Sequence, residues 1–170
     1  MHLVRDALPP ARGRAALRSA AVCLGSPFRG DDAVGPLVAD RLRAAGASVL
    51  DCADEPTRLI DEWAELDTLV IVDAVTTEAR PGTLYRLDVG GGPLPREVGL
   101  ASTHAVGVAD ALALGRELGR APRRAVVLGL EGHAFGVGDE LTPAVARALD
   151  DLVAAVLEEL GAEEQCTSAR

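Results

Sequence analysis

The sequence contains no lysine: all 17 of its basic residues are arginine. That absence removes a Schiff-base lysine, a Ser–Lys dyad and the lysine of a phosphate-binding loop together. Aromatic residues are only 2% of the chain (Phe28, Trp63, Tyr85 and Phe135), too few for a base-stacking platform. The three cysteines, Cys23, Cys52 and Cys166, are odd in number and form no C-x-x-C pair. They speak against a disulfide framework or a structural zinc site and suit a reduced, cytoplasmic setting. Cys23 and Cys52 lie in or at the end of apolar runs and read as small core hydrophobes. No run approaches the ~18 apolar residues of a membrane span. The opening MHLVRDALPPARGRAALRS is broken by Pro9-Pro10, and Arg12-Gly13-Arg14 is not a twin-arginine pair, so no targeting signal is expected. Positive charge is in deficit as well. The net charge of −9 argues against nucleic acid or an anionic membrane as the main partner.

What remains is the composition of a soluble globular domain: 170 residues, 48% apolar and 25% charged. A chain of this length buries roughly 70% of its unfolded surface, so its core needs no covalent or metal staple. Residues 1–18 read as a loose basic leader, 19–160 as a single domain and 161–170 as a frayed tail. Within the domain, Ala20–Gly25 predicts a buried strand, and the apolar spacing from Val34 to Ala45 predicts a helix stopped by Gly46. Ala47–Cys52 follows as a second strand and Pro56–Trp63 as a short helix. Thr68–Ala74 (TLVIVDA) is the strongest strand, apolar enough to be buried on both faces. Gly82–Asp88 fits an edge strand with Thr83, Tyr85 and Leu87 on one face. A Gly/Pro loop, Val89–Pro95, precedes a helix over Val106–Leu118. Ala125–Leu130 is a further buried strand, and Thr142-Pro143 opens a last amphipathic helix to about Leu160, with Thr142 as its cap. Strands alternating with helices predict an α/β fold: three layers, α/β/α, around a mostly parallel twisted sheet of about five strands.

In such sheets ligands bind beyond the carboxyl ends of the strands, where the strand order reverses. Three polar groups fall at such places. Asp31-Asp32 opens the first helix; one acid satisfies a cap, so Asp31 is assigned the capping role and Asp32 the functional one. Asp73 closes a run of four apolar residues, where a carboxylate is costly unless it is paired, solvated in a cleft or bound to a cation. The bland alternative for Asp73 is a structural acid bonding the amides of Val75-Thr76-Thr77. His104 stands just ahead of a helix and shares a rim with both acids in this arrangement. Two carboxylates and an imidazole from separate loops suit a Zn, Ni, Fe or Mn ion with positions left open, or metal-free acid–base chemistry. Glu131, at the end of a strand, reads as a solvated loop acid close to the same rim, and His133 as a loop histidine. Glu158, Glu159, Glu163 and Glu164 read as a solvated face.

The motif Gly25-Ser26-Pro27-Phe28-Arg29-Gly30-Asp31-Asp32-Ala33-Val34-Gly35 resembles the opening motif of the [NiFe]-hydrogenase maturation endopeptidases. Three further stretches fall in that family's order: Val70–Ala74 with Pro81–Leu84, Ser102-Thr103-His104 before an Ala/Leu helix, and Gly136–Leu141 with Thr142-Pro143. The resemblance spans about residues 20–160. It implies a twisted parallel sheet and an endopeptidase that removes a short C-terminal extension from the hydrogenase large-subunit precursor after nickel insertion. The family's nickel-contacting acids and histidine match Asp32, Asp73 and His104. In the family the nickel arrives with the substrate precursor, so the resting enzyme needs no metal of its own. Cys23, Ser26 and Ala33 stand where the family commonly has Gly, Asn and Gly. Alanine at 33 predicts ordinary helical backbone there. Two rival readings use the same frame. One is a non-catalytic nickel-sensing or metallochaperone scaffold for the precursor. The other is a nucleotide- or flavin-binding module, against which the acids Asp31-Asp32 would repel phosphate.

Overall fold

The computed structural model describes residues 18–51, 58–89 and 103–166, apart from the side chains of 103–106 and 162–166. The leader up to residue 17, Cys52, Pro56, the loop at 90–95 and Ser102 lie outside the described residues, as do the side chains of His104, Glu163, Glu164 and Cys166.

Among the described residues ten elements follow in order. They are β1 (Ser19–Cys23), a 3-10 turn (Gly30–Ala33), α1 (Val34–Ala44), β2 (Val49–Leu50), α2 (Leu59–Trp63), β3 (Thr68–Val75), β4 (Leu84–Asp88), α3 (Thr103–Glu117), β5 (Arg124–Glu131) and α4 (Pro143–Cys166). The five strands form one sheet in the order β2-β1-β3-β5-β4. β1 pairs in parallel with β2 and β3, and β3 with β5, while β4 joins β5 antiparallel at the edge. The predicted α/β/α class is therefore the observed one.

The sequence explains the central strands. All eight residues of β3 are buried, as are the last seven of β5, because helices cover both faces. Alternation splits their side chains between two cores. Leu69 and Ile71 join Ala20, Val22, Trp63, Val108 and Leu112 on the α2/α3 face. Val70 and Val72 join Val38, Leu42, Leu149 and Leu152 on the α1/α4 face. β4 shows the half-buried alternation of an edge strand, with Tyr85 and Leu87 turned inward as expected.

Two lengths differ from expectation. β2 keeps only Val49 and Leu50 of the predicted run, since it has a single neighbour, β1, to bond. α4 passes Gly161 and continues to Cys166, where a frayed tail was expected. A glycine inside a helix costs about 1 kcal/mol, which weakens a helix without ending it when no capping contact forms.

The chain leaves β1 towards β2 on one side, and β3 lies on the other side of β1. The strand order thus reverses between β1 and β3, and a crevice opens beyond their carboxyl ends.

Candidate active site

The loop after β1 crosses that crevice. It is shaped by glycines at two points where a side chain would collide with backbone. Gly25 has φ +119°, and a Cβ there would stand 2.1 Å from the carbonyl oxygen of Asp32. At Gly35 a Cβ would stand 1.7 Å from the Leu24 carbonyl oxygen, so only glycine lets the start of α1 close onto the end of β1. Ala33 adopts helical angles, φ −73° and ψ −4°, as its side chain requires. These contacts turn the chain back so that the 3-10 turn packs on β3.

The two adjacent acids have unlike surroundings. Asp31 is fully buried and its carboxylate is saturated. Oδ2 accepts from the amides of His133 (2.8 Å) and Ala134 (3.1 Å) and from the Thr142 hydroxyl (3.1 Å), and Oδ1 accepts from the Thr142 amide (2.8 Å). Contrary to the expectation from the sequence, Asp31 does not cap its own helix but ties the site loop to the segment 133–142. The Thr142 hydroxyl, at the start of α4, donates to Asp31. Further bonds fasten the same two segments: Asp31 N to Ala134 O (2.7 Å), Gly30 N to Asp139 O (3.1 Å) and Gly138 N to Phe28 O (2.9 Å).

Asp32 is 4% exposed. Its Oδ2 accepts a bond from the Ser26 amide at 3.1 Å, while Oδ1 is buried with no hydrogen-bond partner among the described residues. A buried carboxylate oxygen left without a donor is costly unless a ligand or cation meets it.

Asp73 lies inside β3, one residue beyond the last pairing of β1 (Cys23 with Val72), and is fully buried. Alternation puts it on the face of Leu69 and Ile71, the α3 side of the sheet. Across the ladder it pairs with Gly129, which in turn opposes Tyr85 of β4. Of the loop residues suggested as bland partners of Asp73, Thr77 is engaged with Glu131, to which it donates its N–H and its hydroxyl, each at 2.8 Å. Tyr85 completes that cluster with a 2.7 Å hydroxyl contact to Thr77. Glu131 is 1% exposed, so it is a buried tie and not the solvated loop acid expected. The signal was in the sequence, since Glu131 ends an apolar strand just as Asp73 does. His133 is exposed.

His104 belongs to the first turn of α3. α3 leads into β5, which is parallel to β3, so the helix runs back against the strands and its N-terminus faces their carboxyl ends. Backbone topology thus puts His104 at the same end of the sheet as Asp32 and Asp73, on the face that Asp73 occupies. Among the described residues there is no group of three metal-ligating side chains.

A family model, that of the hydrogenase maturation proteases, matches residues 36–159. This chain belongs to the hydrogenase maturation protease family. A curated relative, the hydrogenase expression/formation protein HupD of Thiocapsa roseopersicina, is 30% identical over 120 residues. That match covers 64% of this chain and 53% of the relative, so the chain spans about half the length of the curated protein it matches. Among solved structures, the hydrogenase maturating endopeptidase HybD from E. coli superposes with a TM-score of 0.72 at 24% identity, covering 86% of this chain and 94% of that one. The [NiFe] hydrogenase maturation protease HycI from Thermococcus kodakarensis KOD1 gives 0.66 at 25% identity, with 84% and 92% covered. The first of these supports the fold alone. The family assignment leaves the nucleotide- or flavin-binding reading without support.

Elsewhere in the molecule the electrostatics are structural. Glu159 of α4 bonds Arg86 of β4 and Arg124 of β5, and its side chain is only 12% exposed. It is not part of the solvated face expected for the helix end. Burial pushes its carboxyl up, but the hydrogen bonds from Arg86 and Arg124 outweigh this, and the group sits below the ordinary carboxylate range. Cys23 is a free thiol in β1, and burial pushes it up to about 12 against a weak opposing pull from Arg43. It is the inert strand filler the sequence suggests. No helix among the described residues is long and apolar enough to cross a membrane.

Proposed function

We propose that this chain is an endopeptidase that removes the C-terminal extension of a nickel-loaded [NiFe]-hydrogenase large-subunit precursor, with Asp32, Asp73 and His104 docking on the nickel. The observation that carries the reading is the contrast between neighbours. Every bond Asp31 can use is engaged in holding loops, whereas Asp32 keeps a buried oxygen without a donor at the strand-order switch. Family membership supplies the reaction class.

The nickel is cargo carried by the precursor. A hard carboxylate pair with one imidazole suits Ni(II) while leaving its remaining positions to the precursor's own ligands. Recognition is then differential binding: a nickel-free precursor lacks the central contact and stays uncut. In the hydrolysis itself, a water oxygen attacks the scissile carbonyl carbon, one of the two carboxylates takes the water proton, and the C–N bond breaks as the leaving amine is protonated. We also infer a cytoplasmic location, which the free Cys23 fits.

The test is mass spectrometry of the nickel-loaded precursor before and after mixing with this protein. Loss of a C-terminal peptide supports the reading, with no loss from nickel-free precursor. Asp32→Asn, Asp73→Asn and His104→Ala are each expected to abolish the loss. Stable complex formation with unchanged mass would make the protein a scaffold instead.

A further inference from the structure

A cavity of about 530 Å³ opens beyond the carboxyl ends of β3 and β5, between the loop 76–81 and the segment 131–135. Its walls include Glu78, Pro81, Glu131, Gly132, His133 and Phe135. Both acids of the candidate site have neighbours on it. Gly132 gives its N–H to the carbonyl of Val75 at 2.9 Å, two residues beyond Asp73. A Cβ at Gly132 would stand 3.0 Å from the Cβ of Asp31, which adjoins Asp32. The amide of His133, on the same wall, is one of those that Asp31 binds.

The wall across the cavity is pinned. Thr77 gives both of its donors to Glu131, the Gly82 amide bonds the Glu131 carbonyl at 2.8 Å, and the amide and hydroxyl of Thr83 bond the Arg80 carbonyl at 3.1 and 2.7 Å. Within this loop Glu78 has φ +66°, the one positive value at a non-glycine among the described residues. A glutamate there carries a steric penalty that glycine would escape. Its side chain lines the cavity and forms no ion pair or hydrogen bond with a described residue.

We infer that this cavity is the subsite of the leaving peptide, and that it binds the α-ammonium group which hydrolysis creates, with the Glu78 carboxylate as partner. The inference rests on the proposed peptidase reading and names where the released part of its substrate lodges.

The reaction itself sets the class of ligand. Water divides the scissile amide into a carboxylate and an amine, and an α-amino group has an ordinary pKa of about 8. At neutral pH the amine is therefore protonated as it leaves, and the released peptide begins with a positive charge that the precursor lacked at that atom. The cavity meets this charge with two carboxylates. Glu131 is 1% exposed and takes neutral donors from Thr77, with no ion pair to a described residue. Glu78 is exposed and unpaired among the described residues. No arginine lines the cavity: Arg80 shares the loop and Arg29 reaches the Phe135 carbonyl at 3.2 Å, yet neither forms its wall. Carboxylates attract the ammonium and have no such pull on the neutral amide from which it came, so the contact favours product over substrate. It draws the amine away from the scissile position and makes the free extension peptide an inhibitor.

The experiment compares two synthetic copies of the precursor's C-terminal extension, one with a free amino terminus and one N-acetylated. Each is tested as an inhibitor of precursor cleavage and, by calorimetry, as a ligand of this protein without precursor or nickel. The free peptide should bind about fivefold more tightly, the size of a partly exposed ion pair. Glu78→Gln should weaken the free peptide to the level of the acetylated one and leave the acetylated one unchanged. Glu78→Asp should restore part of the preference. Glu78→Gly should abolish it with a denaturant midpoint no lower than that of wild type, since glycine accepts this φ. Equal affinity of wild type for the two peptides, a preference that survives Glu78→Gln, or no binding of either peptide overturns the subsite while leaving the peptidase intact. Failure of wild type to cut nickel-loaded precursor would instead overturn the reading beneath it.

Discussion

Thr142 binds Asp31 twice, through its amide at 2.8 Å and its hydroxyl at 3.1 Å, across 111 residues of chain. Together with the His133 and Ala134 amides, this makes Asp31 the clasp between the site loop and the loop that precedes α4.

Two adjacent aspartates should accordingly separate stability from activity. Asp31→Ala removes the acceptor of three backbone amides, those of His133, Ala134 and Thr142, and should cost about 3 kcal/mol or more. Thr142→Ala removes one hydroxyl bond and should cost about 1 kcal/mol. Asp32→Asn, which keeps the shape and removes a charge with an unbonded oxygen, should lie within about 1 kcal/mol of wild type while cleavage is lost. Urea denaturation beside the cleavage assay reads all three, and an Asp32→Asn protein that unfolds as readily as Asp31→Ala would refute the division of roles.

The glycines fall into two classes. Gly25→Ala and Gly35→Ala drive a methyl into backbone at 2.1 and 1.7 Å, with nothing flexible to yield. Each should destabilise by roughly 3 kcal/mol or more. Gly119 has φ +66° but open space around it, so Gly119→Ala should cost only about 1 kcal/mol, the left-handed penalty alone. Denaturant midpoints of the three variants give the ranking.

The Glu159 cluster sets an acid limit. Its carboxyl is held below the ordinary value of 4.5, so the folded state binds this proton less readily than the unfolded one. Its contribution is fully present above about 4.5 and fades as pH falls through the lowered folded value. Glu159→Gln should therefore flatten the loss of stability between neutral pH and the acid range. Urea midpoints followed downward from pH 6 test this; identical slopes in variant and wild type would remove Glu159 as the cause.

Cys23 should be silent to thiol reagents in the native protein. With a pKa of about 12, almost none of it is thiolate at neutral pH. In a Cys52→Ser, Cys166→Ser background, disulfide-reagent labelling should be on the order of a hundredfold slower in native buffer than in denaturant. Prompt native labelling would mean that burial does not keep the thiol protonated.

Local patterns carried most of this fold. The run Leu69–Val72 announces a strand buried on both faces, and the 3.6-residue spacing from Val34 onward announces α1. Asp73 was chosen for its position after an apolar run and Asp32 as the second of two acids at a helix start, and both are local properties too. What the sequence hides is partnership at long range. Nothing near Asp31 reveals that its donors come from residues 133–142, and nothing near Glu159 reveals Arg86 and Arg124 across the sheet. The burial of Glu131 was legible from the apolar strand it ends, but its partner Thr77, 54 residues away, was not. The short β2 reflects pairing on one side only, which composition does not encode.

The Asp31–Thr142 clasp also has a consequence for biosynthesis. A nascent chain carries both acids and β1 long before residue 142 emerges from the ribosome, yet the carboxylate that steadies the loop still lacks half its donors. The clasp is complete only once the segment that leads into α4 has reached Asp31, so the order of the loop after β1 depends on chain made more than a hundred residues later.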